Sequence, residues 1–222
     1  MAIKDLIIVF DTERIIQSGA IALQNKLSQP NLPCGNVCID KKPISNDSKK
    51  DLEEAITTLN DRGRVYIQGH GNWQQQTLNS WTGKEVADVL LNAGIKSKKD
   101  IRVSVLGCSL GRDVKDPSSE LKVSLSTSSF AGDLHQSLKD GGCNTVLHAR
   151  LYNVGISRVI NKGRKGVFED NVEGIEENII HKKPQSKVTF KWNGDIQERW
   201  WSYQEKKVID DFLDDELNFD FY

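Results

Sequence analysis

The sequence predicts an α/β fold with a mostly parallel central sheet and helices on both faces. Two segments rich in β-branched residues, R-V-Y-I-Q-G and I-R-V-S-V-L-G, each end at a glycine. A helix with its own start signal separates them, because Thr82 and Glu85 form a capping box ahead of an apolar stripe. A strand, a helix and a strand in this order make a βαβ unit, which requires two parallel strands.

The spacing of apolar residues predicts the other elements. Before the βαβ unit we expect a strand at 6–10, a helix at 13–27, a short strand at 36–40 and a helix opened by Ser48 and Asp51. After it we expect a long polar loop at 112–129, a helix through Phe130, one or two strands at 145–156 and an irregular basic stretch at 162–183. Asn193-Gly194 lies between two β-prone runs at 187–203, which predicts a hairpin with a type I′ turn.

Length and composition indicate a soluble protein. The 222 residues suit one domain, which we place at 1–204, followed by an acidic tail or helix at 205–222. No apolar run reaches the length of a membrane span, and the N-terminus does not have the pattern of a secretory signal. The net charge of −1 argues neither for nor against a nucleic-acid partner. We predict neither nucleic-acid binding nor a membrane span.

Two reactive side chains follow the two strands of the βαβ unit. His70 comes directly after the glycine that ends the first strand, and Cys108 comes directly after the glycine that ends the second. Ligands of parallel sheets bind beyond the carboxyl ends of the strands, where both residues fall. They are therefore a candidate base and nucleophile. The alternative is that Cys108 is an ordinary buried thiol at a strand end.

The other cysteines are too few and too scattered for a disulfide framework. Cys34 and Cys38 have a spacing that zinc can use, but no second Cys/His pair lies nearby at ligand spacing, so we predict no metal site. Together with Cys143 they are interpreted as reduced, partly buried thiols.

With G-H-G after one strand and L-G-C-S after the next, the sequence resembles the autoprocessing cysteine peptidase domains of bacterial toxins. Such domains occur in the large clostridial glucosylating toxins and the multifunctional-autoprocessing RTX toxins, and they belong to the caspase-like clan. The resemblance extends to L-I-I-V-F in the first strand, to A-R-L-Y-N-V-G-I and to the G-R-K that follows it. It implies a caspase-like three-layer sandwich with a C-terminal β-hairpin flap at about 157–204.

The resemblance also implies a cysteine endopeptidase that cleaves after leucine, in its own chain or in a host protein. Cys108 would be the nucleophile and His70 would handle the proton, with Asp11 and Glu13 as alternative orienting acids. We expect the backbone N–H groups of Gly71 and Cys108 to stabilise the oxyanion. The family further implies a bacterial protein that acts in the host cytosol.

Family members are activated by inositol hexakisphosphate, which binds a basic pocket under the flap. By position, the basic residues that would bind it here are Lys26, Arg64, Arg164, Lys165, Lys182, Lys183 and Lys187. Several converging cations suit a polyphosphate, although the charges at 162–191 are also compatible with a solvated face. Two other functions remain open at this stage. One is a non-catalytic caspase-like module that binds an inositol polyphosphate or a protein partner, and the other is an acyl-transferring enzyme that uses the same Cys-His pair.

Overall fold

A computed structural model describes residues 2–108, 110–111, 129–150, 153–156, 165–168 and 187–201. Within these ranges the helices are α1 Arg14–Leu27, α2 Asn46–Thr58, α3 Gly83–Asn92 and α4 Phe130–Asp140, and a 3₁₀ turn covers Ile95–Ser97. The strands are β1 Ile3–Val9, β2 Gly35–Cys38, β3 Leu59–Gln68, β4 Gly71–Asn72, β5 Thr77–Leu78, β6 Trp81–Thr82, β7 Arg102–Leu106, β8 Val146–Arg150, β9 Asn153–Ile156, β10 Lys165–Phe168, β11 Lys187–Asn193 and β12 Ile196–Trp201.

A seven-stranded sheet with the order β12-β11-β8-β7-β3-β1-β2 forms the centre of the molecule. The pairings from β2 through β1, β3 and β7 to β8 are parallel, and β11 and β12 add an antiparallel edge. Every residue of β1 except Lys4 is buried, which is typical of a strand covered on both faces. The predicted α/β fold with a mostly parallel sheet is confirmed.

Helices cover both faces of the sheet, as a caspase-like sandwich requires. Helix α1 places Ala20 and Leu23 against Ile7 and Tyr66 on one face. Helices α2, α3 and α4 pack on the other face, where they form the larger apolar cluster. No α-helix in the described part of the chain combines the length and apolarity that crossing a membrane requires.

The start of α3 confirms the predicted capping box, whereas the start of α2 differs from the prediction. Thr82 and Glu85 exchange both capping-box hydrogen bonds. At α2 the capping residue is Ser45, whose side chain accepts a hydrogen bond from the N–H of Ser48. The hydroxyl of Ser48 donates instead to Asp40. The prediction that Ser48 and Asp51 open this helix was therefore wrong, because a serine three residues earlier competes for the same role.

The C-terminal hairpin continues the central sheet, because β11 pairs with β8. Its turn differs from the prediction: Asn193 pairs with Ile196, so Gly194 and Asp195 are the central residues. Gly194 has a φ of 60°, and a glycine at the first central position is typical of a type II′ turn.

A second hairpin pairs β9 with β10, so the prediction of irregular structure at 162–183 was wrong for Lys165–Phe168. The tail at 205–222 lies outside the described residues.

Candidate active site

The candidate site lies where β3 and β7 end at the carboxyl edge of the sheet. Gln68 at the end of β3 pairs with Leu106 at the end of β7. The segments that follow β3 and β7 stay side by side beyond this pair. A Cβ added at Gly107 would lie 3.3 Å from the carbonyl oxygen of Gly69. Continuing the register places His70 opposite Cys108. The side chain of His70 is 52% exposed, and Cys108 is half-buried.

Gly71 packs directly against the backbone of Cys108. A Cβ added at Gly71 would clash with the carbonyl oxygen of Cys108 and would lie 2.5 Å from its nitrogen. Both contacts involve backbone atoms, which cannot move aside as the end of a flexible side chain can. The close approach therefore requires glycine at position 71 and fixes the loop after His70 onto the residue that carries the thiol.

The N–H of Gly71 points away from the small antiparallel sheet formed by β4, β5 and β6. Gly71 pairs with Leu78, and the adjacent hydrogen bond runs from the N–H of Asn79 to the carbonyl oxygen of His70 over 2.7 Å. This bond marks Gly71 and Leu78 as a non-hydrogen-bonded pair, whose N–H groups face away from each other's strands. Such an orientation is compatible with the expected oxyanion donor, which stays a prediction.

Glu13 contacts the imidazole ring of His70. Its Oε2 lies 3.0 Å from Nε2 of the ring. An ionised carboxylate can only accept a hydrogen bond, so Nε2 carries the proton and Nδ1 of the neutral ring is the acceptor. The glutamate side chain is 61% exposed, and such an exposed pair stabilises the orientation of the ring only weakly.

Asp11 positions the backbone on which this contact depends. The residue is buried, and its two carboxylate oxygens accept hydrogen bonds from different segments. One bond of 3.2 Å comes from the N–H of His70, and the other, of 2.9 Å, comes from the N–H of Glu13. The two predicted orienting acids thus have separate positions: Glu13 touches the ring, and Asp11 holds the two chain segments that bring Glu13 and His70 together.

Replacing Asp11 by asparagine tests this arrangement. An amide has one accepting oxygen, so its NH₂ group would face one of the two backbone donors. We expect a loss of about 2 kcal/mol in the free energy of unfolding, since hydrogen bonds to a charged group contribute about 1.5–3 kcal/mol. Urea denaturation would measure it, with Asp47→Asn, an exposed first-turn residue of α2, as the control. A stability equal to that of the control variant would contradict the role assigned to Asp11.

Asn79 is a further residue at the site that the sequence reasoning missed. It forms a two-residue turn with Ser80 between β5 and β6, and the φ angles of 46° and 70° are those of a type I′ turn. Its side-chain amide donates to the carbonyl oxygen of Phe10 over 2.8 Å. Together with its bond to His70, this contact ties the end of β1 to the end of β3. The preference of asparagine for left-handed turn positions was the only available signal.

The environments of the other thiols differ from that expected of a nucleophile. Burial raises the pKa of Cys34 to about 12 and that of Cys143 to about 11. Cys38 is exposed, contrary to the expectation of partial burial, yet its pKa is also raised, mainly by desolvation. Thiolates are the reactive form, so these three cysteines are poor nucleophiles at neutral pH. Over the described ranges, no group of three or more His, Cys, Asp or Glu residues is arranged to hold a metal ion.

Four of the seven expected phosphate-binding residues lie in the described part of the chain: two in the N-terminal half and two at the starts of late strands. Lys26 lies exposed in the last turn of α1, and Arg64 makes a two-bond ion pair with buried Asp5, at 2.5 and 2.9 Å. Lys165 and Lys187 are the first residues of β10 and β11. The other three predicted positions, Arg164, Lys182 and Lys183, lie outside the described residues.

Strand pairing adds three cations to two of the predicted ones on a single face of the sheet. Paired residues share a face of the sheet, and so do residues two apart on one strand. Arg64 pairs with Arg102, and Lys187 pairs with Arg150. The register places five cations on the face that α1 partly covers, and we call them the basic face: Arg64, Arg102, Arg150, Lys187 and Lys191. Arg102, Arg150 and Lys191 had not been predicted.

Comparison with models of known protein families and with curated proteins gives no match to this chain. The interpretation of the site therefore depends on its own residues and on the motifs described above.

Proposed function

We propose that the chain is a cysteine endopeptidase in which Cys108 is the nucleophile and His70 handles the proton. The observation that carries the proposal is the packing of Gly71 against the Cys108 backbone at the ends of two paired parallel strands. Residues that carry an imidazole and a thiol follow paired strand ends, and the Glu13 contact leaves the Nδ1 lone pair of the ring available to accept a proton.

The proposed reaction uses these groups in order. Nδ1 of His70 takes the thiol proton, and the Cys108 thiolate attacks the carbonyl carbon of the scissile peptide bond. The backbone N–H groups of Gly71 and Cys108 stabilise the resulting oxyanion. The imidazolium then protonates the leaving amine, and water hydrolyses the thioester to regenerate the thiol. Cleavage after leucine, in this chain or in a host protein, is part of the proposal by resemblance, as is action of a bacterial protein in the host cytosol.

A leucine-based electrophilic peptide probe tests the proposal on the unmodified protein. We expect peptide mapping by mass spectrometry to find the label on Cys108, while Cys38 serves as an internal control. Cys38 is exposed but has a raised pKa, so it reports non-selective alkylation. Equal labelling of the two residues, or no labelling, would contradict a catalytic Cys108. Cleavage of a leucine-containing peptide by the same preparation would separate a peptidase from an acyl transferase.

The second part of the proposal is that an inositol polyphosphate, with inositol hexakisphosphate as the expected activator, binds the basic face. Five cations from four adjacent strands share this face, and a polyphosphate needs several such partners. The same observation favours the alternative function, a caspase-like module that binds an inositol polyphosphate or a protein partner without cleaving a substrate. Binding accompanied by Cys108 labelling supports the activated peptidase, and binding without it supports the alternative.

Arg102→Gln is expected to weaken the binding of inositol hexakisphosphate by about tenfold. The variant removes one charge-assisted hydrogen bond, which contributes about 1.5–3 kcal/mol, and tenfold corresponds to about 1.4 kcal/mol. Isothermal titration calorimetry would measure the dissociation constant. Lys50→Gln is the matched control, since Lys50 is 75% exposed on α2, a helix that packs on the opposite side of the sheet. If both variants weaken binding of inositol hexakisphosphate equally, the affinity depends on the net charge of the protein and not on the basic face.

A further inference from the structure

The middle of the basic face holds a buried histidine that the proposed catalysis does not use. His148 is 3% exposed and lies in a polar row across three strands, between Ser104 on β7 and Thr189 on β11. Its Nδ1 is 2.9 Å from the hydroxyl oxygen of Thr189. Its Nε2 is buried and has no hydrogen-bond partner among the residues that the structure describes. Most buried ring nitrogens are hydrogen-bonded, so this one requires an explanation.

Cations lie on both sides of this polar row. Those that act on His148 are Arg102 from β7, Arg150 from β8, and Lys187 and Lys191 from β11. The acids on the same face are Glu198, which pairs with Lys191 across β11 and β12, and Asp5, which is bonded to Arg64. Burial, and after it the neighbouring cations, lower the pKa of His148 well below its ordinary value. The ring is therefore neutral at pH 7 in the unliganded protein.

We infer that His148 takes up a proton when a polyanion occupies the basic face, so that anion binding is coupled to protonation and is tighter at lower pH. This inference depends on the proposed effector site. Bound phosphate groups offset the repulsion that the four cations exert on an imidazolium, which raises the proton affinity of the ring. By thermodynamic reciprocity, a protonated ring adds positive charge to the face and raises the affinity for the anion.

The sign of the pH dependence follows from the two states of the ring. In the unliganded protein the pKa of His148 is low. The inference requires a higher pKa of this ring in the complex. Between these two values the unliganded ring is neutral and the liganded ring is charged, so binding takes a proton from solvent. Affinity must therefore fall as pH rises through this range, by at most about tenfold per pH unit for one proton.

Calorimetric titration with inositol hexakisphosphate in buffers of different ionisation enthalpy measures the proton uptake. The polyphosphate itself titrates in this range, so the informative quantity is the difference between wild type and His148→Gln, whose amide cannot titrate. We expect wild type to take up more protons than the variant, up to about one per bound molecule, and to lose affinity more steeply as pH rises towards the ordinary histidine pKa of about 6.5. His135→Gln is the matched control, because His135 is buried on α4 at the other face of the sheet and should leave the wild-type value unchanged.

The outcomes separate this inference from the proposal on which it depends. Equal proton uptake by wild type and His148→Gln would overturn the role of His148 while the effector site stands. Absence of any binding by wild type would overturn both. If His148→Gln does not fold, the ¹H–¹³C resonances of the His148 ring in wild type give the same test. A shift to the imidazolium position on adding the polyphosphate at constant pH is expected, and an unchanged position would overturn the inference.

Discussion

Replacing His70 by alanine is expected to lower kcat/KM for a leucine-containing peptide by about 10²- to 10⁴-fold, the range that a positioned general base contributes. The variant removes the only described imidazole at the carboxyl ends of β3 and β7, and the Cys108 thiol then loses its proton to water alone. Glu13→Gln should cost less than about tenfold, because the contact that it alters is exposed and even an exposed ion pair contributes at most about 1 kcal/mol. Steady-state kinetics on the three proteins would measure this order.

Gln74→Ala is the matched control for His70, since Gln74 is an exposed residue in the turn between β4 and β5. It should retain wild-type kcat/KM. A His70→Ala protein with the activity of this control would contradict the role of His70. If Glu13→Gln lowers kcat/KM as much as His70→Ala does, the exposed Glu13 carboxylate is essential for orienting the His70 ring. The expectation of a small effect would then be wrong.

Gly71→Ala is expected to lower kcat by at least about 10²-fold, the cost of moving reacting groups by roughly 1 Å. The added Cβ meets the carbonyl oxygen and nitrogen of Cys108, so either the loop or the nucleophile must shift. The thiol should also label more slowly with the leucine-based probe, even where the protein stays folded. Probe kinetics and the thermal unfolding midpoint, measured on the same preparation, would separate displacement from unfolding.

Gly94→Ala supplies the control for this prediction. Gly94 has a φ of 92° and open space around an added Cβ, so alanine there strains the backbone without touching the site. We expect that variant to lose stability by about 1 kcal/mol and to keep its rate. If Gly71→Ala also loses stability but keeps its rate, the contact of Gly71 with Cys108 has no catalytic consequence.

Local signals were sufficient to predict the strands that lead to His70 and Cys108. Apolar runs that end at glycine and a capping box between them are short-range features, and the structure retains each of them. The start of α2 shows the limit of such signals. Ser45 and Ser48 both suit a cap, and only the folded chain, in which Ser48 bonds to Asp40, decides between them.

Long-range pairing explains what the sequence did not reveal. Arg102 and Arg150 lie 48 positions apart in the chain and share a face only because β7 pairs with β8 in one particular register. Lys191 joins them through the antiparallel pairing of β8 with β11. In the same way, Asp11 and His70 meet across the pairing of β1 with β3, and no spacing rule indicates which carboxylate touches the ring and which holds the backbone.

The position of β3 and β7 in the sheet has a consequence for the dynamics of the site. Both are interior strands with a neighbour on each side, whereas β2 and β12 are the edges of the sheet as far as the chain is described. Amide hydrogens on interior strands exchange only in the larger, rarer opening events, so those of β3 and β7 should be among the slowest in the molecule. The strand ends that carry the imidazole and the thiol would then be preassembled before any ligand arrives. An activator would consequently have to control access of the substrate to this rigid pair, and would have little influence on assembling it.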